Sequence, residues 1–153
     1  MIHSLEAPDD GSGKLQGVEA ALAKVGLFSD CDADELARVA ALVSARQVPA
    51  GEVLTGEGAV GQEFFIITEG HAQVERNGTP LGILGPGSFV GELALLDRGL
   101  RSATVSALTD LWIWALGYRE FHQLLEASPS IDAKVRAVAA ARRAQDEFVP
   151  GLP

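Results

Sequence analysis

Between residues 47 and 116 short runs of strand-forming residues are broken by glycines at 56, 58, 61, 70, 78 and 82. Glycine weakens the interior of a helix but supplies the backbone freedom of tight turns, so this stretch must fold as short strands joined by turns. The runs are Glu52–Leu54, Phe64–Thr68, His71–Glu75, Leu81–Leu84, Ala103–Ala107 and Leu111–Leu116, and Asn77-Gly78 marks a two-residue hairpin. Closely spaced short strands of this kind are the signature of a jelly roll. The predicted class is α+β: a β-roll of the eight-stranded type over about 47–116, flanked by N-terminal and C-terminal helices.

The flanks change period. Residues 1–15 are polar and aperiodic, MIHSLEAPDDGSGKL, and read as a flexible arm. The GSGK at 11–14 lacks the glycine spacing and the hydroxyl residue of a phosphate loop. From Val18 the spacing of Val18, Leu22 and Val25 predicts a short helix, and Asp32 with Glu35 predicts a capping box that opens a second one, with Leu36, Val39, Ala40 and Val43 on one face. After the roll, Tyr118–Ala127 is helical, Ser128-Pro129 interrupts it, and a last helix runs from about Ser130 to Glu147, ahead of a tail at 148–153. Residues 16–147 are expected to form one domain.

The chemistry concentrates in Gly87–Val105, GSFVGELALLDRGLRSATV. Gly91 removes a side chain where Gly91, Glu92, Leu93 and Ala94 can start a helical turn, whose first N–H groups have no partner inside the helix and suit an anion. Arg101 adds a permanent charge with a fork of donors matched to phosphate oxygens. Glu92, an acceptor only, calls for a hydroxyl such as the 2′-OH of a ribose. Phosphate and sugar together suggest a nucleotide. The same residues also fit a structural ion pair between Glu92 and Arg101 in a roll that binds nothing.

FVGELALL followed by RSATV resembles the phosphate-binding cassette of the cyclic nucleotide-binding domain family, its RSA spelling closest to the bacterial cyclic-AMP receptor protein branch. The likeness extends through PAGEVLTGEG at 49–58, FFIITEG at 64–70 and the aromatic strand and helix to Pro129, covering roughly residues 25–145. It implies a sensor whose ligand phosphate sits on Arg101, Ser102 and the N–H groups of 91–94 and Ala103, with the purine and ribose near Val74, Leu81 and Val90. It also implies that movement of the 91–95 turn carries the C-terminal helices. Ser102 suits either a phosphate contact or a bond to guanine, and residues 143–147 hold no serine or threonine to read adenine. Cyclic AMP is favoured and cyclic GMP stays open. In that branch the last helix pairs with its copy, and Ile131, Val135, Val138 and Ala141 or Arg142 have the spacing for a homodimer through 130–147. The other reading folds that stripe onto the chain's own roll.

Composition narrows the rest. A net charge of −9 opposes a grip on nucleic acid or an anionic membrane. No apolar run is long enough to span a bilayer and no leader is recognisable, so a cytoplasmic location is expected. The single cysteine, Cys31, has no internal partner. His3, His71 and His122 lack ligand spacing, which argues against a cupin-like metal centre and against a cofactor. Trp112 and Trp114 share one strand face and cover a sheet. No enzyme activity is expected. The chain reads as a free-standing sensor acting through an unidentified protein effector, the alternative being a ligand-free interaction module on the same fold.

Overall fold

The computed structural model describes residues 25–97 and 99–148. The predicted arm at 1–15, the start of the first predicted helix and all but the first residue of the 148–153 tail lie outside the described residues.

A single 3-10 turn at Gly26–Phe28 leads into α1, Ala33–Leu42. Asp32 caps α1 as its sequence predicts: the Glu35 amide donates to the Asp32 carboxylate at 2.8 Å and the Asp32 amide to Glu35 at 3.0 Å. Eight strands follow: β1 Ser44–Val48, β2 Val53–Thr55, β3 Glu63–Glu69, β4 Ala72–Arg76, β5 Thr79–Leu84, β6 Phe89–Val90, β7 Thr104–Ala107 and β8 Leu111–Gly117. They form two four-stranded antiparallel sheets, ordered β1-β8-β3-β6 and β2-β7-β4-β5. Three helices complete the described chain: α2 Glu92–Asp97 between β6 and β7, then α3 Tyr118–Ala127 and α4 Pro129–Phe148.

Asn77 and Gly78 both take positive φ, 54° and 79°, which is the backbone a two-residue turn needs to match strand twist. Strand β1 begins ahead of the predicted boundary at 47, and the two-residue β6 lies inside the roll where no strand run was predicted. Ser44–Val48 has no apolar alternation and is exposed except at Val48, so β1 is held by its ladder to β8 rather than by a buried face.

Strands β3 and β8 are buried on both faces, which explains their unbroken apolar sequences. Phe65, Ile67, Leu111, Ile113 and Ala115 point into the roll, against Val90 and Val105. Phe64, Ile66, Trp114 and Leu116 point the other way, against Phe28, Val39, Phe121, Leu124, Ile131 and Val135 of the helical layer. Phe64 stacks on Phe121 with ring centroids 4.8 Å apart and on Phe89 at 5.4 Å. Each such side chain taken wholly from water stabilises the fold by roughly 1.5–3 kcal/mol.

The same packing settles the stripe on the last helix. Ile131, Val135 and Ala139 are fully buried against this chain's own core, and Val138 packs beside them. Ile131 and Val135, two residues of the stripe expected to form a homodimer seam through 130–147, thus pack in this chain's own core with Phe64 and Phe121. Pro129 fills the first position of α4, where its missing N–H costs nothing, and buried Ser128 caps the helix by accepting from the Ile131 amide at 3.3 Å.

Candidate functional site

Strand β6 ends at Val90 and the chain swings into α2 through Gly91, at φ +102°. A Cβ there would lie 2.6 Å from the Glu63 carbonyl oxygen and 2.8 Å from Arg101 Nη1, so only glycine fits. The space is taken by the Arg101 guanidinium, which donates from Nη2 to the Glu63 carbonyl at 2.7 Å and from Nη1 to the Gly91 carbonyl at 3.3 Å. The backbone of Arg101 is pinned to the glycine loop before β3: its amide donates to the Ala59 carbonyl at 2.7 Å, and its own carbonyl accepts from Gly58 at 2.9 Å.

Arg101 is only 8% exposed and both of these acceptors are neutral. Burial pushes its pKa down from the usual guanidinium value, while the Glu63 and Glu92 carboxylates pull it back up. The Glu63 carboxylate itself is occupied at the surface by Arg46, at 2.8 Å. A cation so placed is short of countercharge, and an anion at the mouth of the pocket would supply it.

Glu92 opens α2 and is 1% exposed. Its partner is not Arg101. Arg142, from α4, places Nη1 2.7 and 2.8 Å from the two carboxylate oxygens, donates from Nη2 to the Phe89 carbonyl at 3.0 Å, and lies 5.5 Å over the Phe89 ring. The Glu92–Arg101 pair offered by the ligand-free reading is thus replaced by a contact between elements fifty residues apart in sequence. The next residue, Arg143, makes two hydrogen bonds to Asp97 at 2.8 and 3.0 Å. Consecutive arginines of α4 therefore hold the first and last residues of α2.

Gly91, Glu92, Leu93, Ala94, Arg101, Ser102, Ala103, Val74, Leu81 and Val90 all line one cleft of about 220 Å³. Leu81 and Ile83 form its exposed apolar edge on β5, and Val74 and Val105 line it from the neighbouring strands. Three arginines and one carboxylate face it, namely Arg76, Arg101, Arg142 and Glu92, against a chain whose net charge is −9. The cleft is a local basic site on an acidic molecule.

Thr55, Arg76 and Arg142 are the polar residues the sequence reading did not place there. Thr55 Oγ1 donates to the Ala103 carbonyl at 3.1 Å and Arg76 Nε to the Ser102 carbonyl at 2.9 Å, so these two fix the backbone after Arg101. Strand parity could have found Arg76, which lies two residues from Val74 on the same side of β4. Arg142 falls on the stripe that was read as a dimer seam. The residues lining the cleft include no histidine, cysteine or lysine, and among the described residues no cluster of metal-ligating side chains occurs. No described helix is long and apolar enough to cross a membrane.

Comparison with known proteins matches residues 45–128 to the model of the cyclic nucleotide-binding domain. A cyclic nucleotide-gated potassium channel of Rhizobium etli is 38% identical over 122 residues, which are 80% of this chain and 34% of the channel. The chain thus spans about a third of that relative's length. Among solved structures, PKAR CBD2 with Sp-2Cl-cAMPS bound superposes with a TM-score of 0.80 at 28% identity, covering 92% of this chain and 94% of that one. The catabolite activator protein of Thermus thermophilus superposes with a TM-score of 0.68 at 29% identity, over 80% of this chain and 59% of its own.

Proposed function

This chain belongs to the cyclic nucleotide-binding domain family, and we propose that its cleft binds a 3′,5′-cyclic nucleotide, cyclic AMP in preference to cyclic GMP, as a regulatory ligand in the cytoplasm. The observation that carries the reading is the convergence of a buried, under-compensated Arg101 and an acceptor-only Glu92 on one cleft with an aliphatic wall. The cyclic phosphate takes Arg101 together with Ser102 and the N–H groups of Gly91, Glu92, Leu93, Ala94 and Ala103. Glu92 takes the ribose 2′-hydroxyl. Val74, Leu81 and Val90 hold the ribose and purine by contact, without reading the base. The preference for cyclic AMP draws on the relative solved with Sp-2Cl-cAMPS.

The function proposed is regulatory rather than catalytic. The output passes to a protein effector through the helices that touch α2. Titration calorimetry with cyclic AMP, cyclic GMP and 5′-AMP tests the reading. Saturable binding of a cyclic nucleotide with no response to 5′-AMP is the expected result. No heat and no thermal shift with any of the three would replace it with the ligand-free module, in which Arg142 is simply the structural partner of Glu92.

A further inference from the structure

Ser102 and Ala103, both assigned to the phosphate, lie just ahead of β7, which begins at Thr104. The ladder between β4 and β7 runs from Ala72 opposite Ala107 to Glu75 opposite Thr104 and stops short of them. Two side chains take over there. Arg76, the last residue of β4 and part of the cleft wall, donates from Nε to the Ser102 carbonyl at 2.9 Å, and Thr55 on β2 donates to the Ala103 carbonyl at 3.1 Å. The turn after Arg76 is itself tied down: the Asn77 amide donates to the Glu57 carboxylate and the Glu57 amide to Thr104 Oγ1, each at 3.0 Å.

No described peptide bond is cis, and the six atoms of a trans peptide lie in one plane. A hold on the Ser102 carbonyl therefore fixes both the direction of the Ala103 N–H and the Cα from which the Ser102 hydroxyl projects. Arg101 attracts a phosphate through charge, which the two exocyclic oxygens share. A hydrogen bond from an N–H or a hydroxyl must instead point at one of them, because it weakens steeply as it bends. We propose that Arg76 is a positioning residue for the phosphate: through the Ser102 carbonyl it aims the Ser102–Ala103 peptide at one exocyclic oxygen and so makes the cleft selective between the two. This rests on the cyclic-nucleotide reading of the cleft and adds to it the side chain that sets stereoselectivity at phosphorus.

Two substitutions separate the donor from the charge. Glutamine carries its amide nitrogen on Cδ, where arginine has Nε, so Arg76→Gln keeps a donor for Ser102 and loses the charge; Arg76→Met has similar length with neither. The probes are cyclic AMP and its Sp and Rp phosphorothioates, which put sulfur, a poorer acceptor than oxygen, at one exocyclic position or the other. All three are titrated by calorimetry into the wild-type chain and both variants, with circular dichroism confirming each fold. Wild type is expected to separate the two phosphorothioates by roughly tenfold, the loss of one bond to a charged group. Arg76→Gln should keep that gap, and in Arg76→Met it should narrow to within about threefold, since a misdirected donor favours neither oxygen. An equal gap in all three proteins, with or without a uniform loss of affinity, overturns the positioning role and leaves Arg76 a structural residue. A gap lost equally in Arg76→Gln and Arg76→Met also overturns it, because the charge of Arg76 would then be the contact. Should Arg76→Met not fold, Arg76→Leu takes its place with the same expectation. Wild type that binds cyclic AMP but shows no gap sinks the positioning role alone. Wild type that binds none of the three nucleotides sinks the cyclic-nucleotide reading and this inference with it.

Discussion

Arg101→Ala separates binding from folding at one residue. In the fold the guanidinium donates to two neutral carbonyls, those of Glu63 and Gly91. Its removal leaves two acceptors beside a cleft that water can enter, a loss of about 0.5–1.5 kcal/mol for each bond. Relief of a desolvated charge works in the opposite direction, so the net destabilisation should be about 1–2 kcal/mol, a fall in melting temperature of roughly 2–8 °C for a chain of this size. Glu92 keeps its direct partner Arg142, so it is not left unpaired and loses only its longer-range attraction to Arg101. Binding loses more. A charge-assisted contact to phosphate contributes ~1.5–3 kcal/mol, so cyclic-nucleotide affinity should drop by about ten- to a hundredfold. Arg101→Lys keeps the charge without the fork and should fall between the two. Calorimetric titration and scanning calorimetry on the same preparations give both numbers. An affinity within about threefold of wild type would place the phosphate elsewhere, since it leaves less than 1 kcal/mol for the contact. A melting temperature lowered by more than about 15 °C would show Arg101 to be a structural cation instead.

Gly91→Ala forces a side chain into a left-handed backbone against the Glu63 carbonyl and the Arg101 guanidinium, and should cost about 1–3 kcal/mol by thermal melting while also reducing nucleotide affinity. Retention of both stability and affinity would contradict the close approach described here. Asp32→Ala removes half of a reciprocal cap remote from the cleft, so it should lower stability by ~1 kcal/mol and leave affinity unchanged. The Cys31 thiol has its pKa raised, mainly by burial and further by Glu35, against the lowering effect of Ser128, Ser130 and Lys134. It therefore keeps its proton longer in the fold than in the unfolded chain: alkylation near pH 8 should be slower in native protein than in denaturant, and the stability this group contributes below its unfolded pKa should fade as pH rises through the folded value. Equal rates in both states would contradict the burial.

How far the sequence spoke depended on whether a feature is local. The capping box at Asp32, the Asn77-Gly78 hairpin, the helix Tyr118–Ala127 and the turn beginning at Gly91 are each decided within a few residues, and each appears where its pattern puts it. Strand β1 has no such pattern: Ser-Ala-Arg-Gln-Val is mostly exposed, and only its pairing with β8 makes it a strand. The contiguous part of the cleft was legible because residues 90–94 and 101–103 come from one stretch of chain. Arg142 was not, because the periodicity that reveals an inward-facing helix stripe does not say what the stripe faces. A seam for a second copy and a cover for the chain's own sheet share the same spacing. Thr55 and Arg76 act on backbone carbonyls across strands, an interaction with no signature in residue spacing.

Strands β3 and β8 form a wall common to the roll and the helical layer, and this governs the order in which the molecule can be made. Residue 115 must pair with residue 44 on one side and residue 65 on the other before that wall exists. A nascent chain that has emerged only as far as β7 can close the local β4–β5 hairpin, but Phe64 and Phe65 then have neither β8 beside them nor α3 and α4 above. Such long-range closure is slow relative to helix or hairpin formation. Both cores should therefore be won late and nearly together, leaving the Phe-Phe-Ile-Ile segment as the part most in need of protection during synthesis.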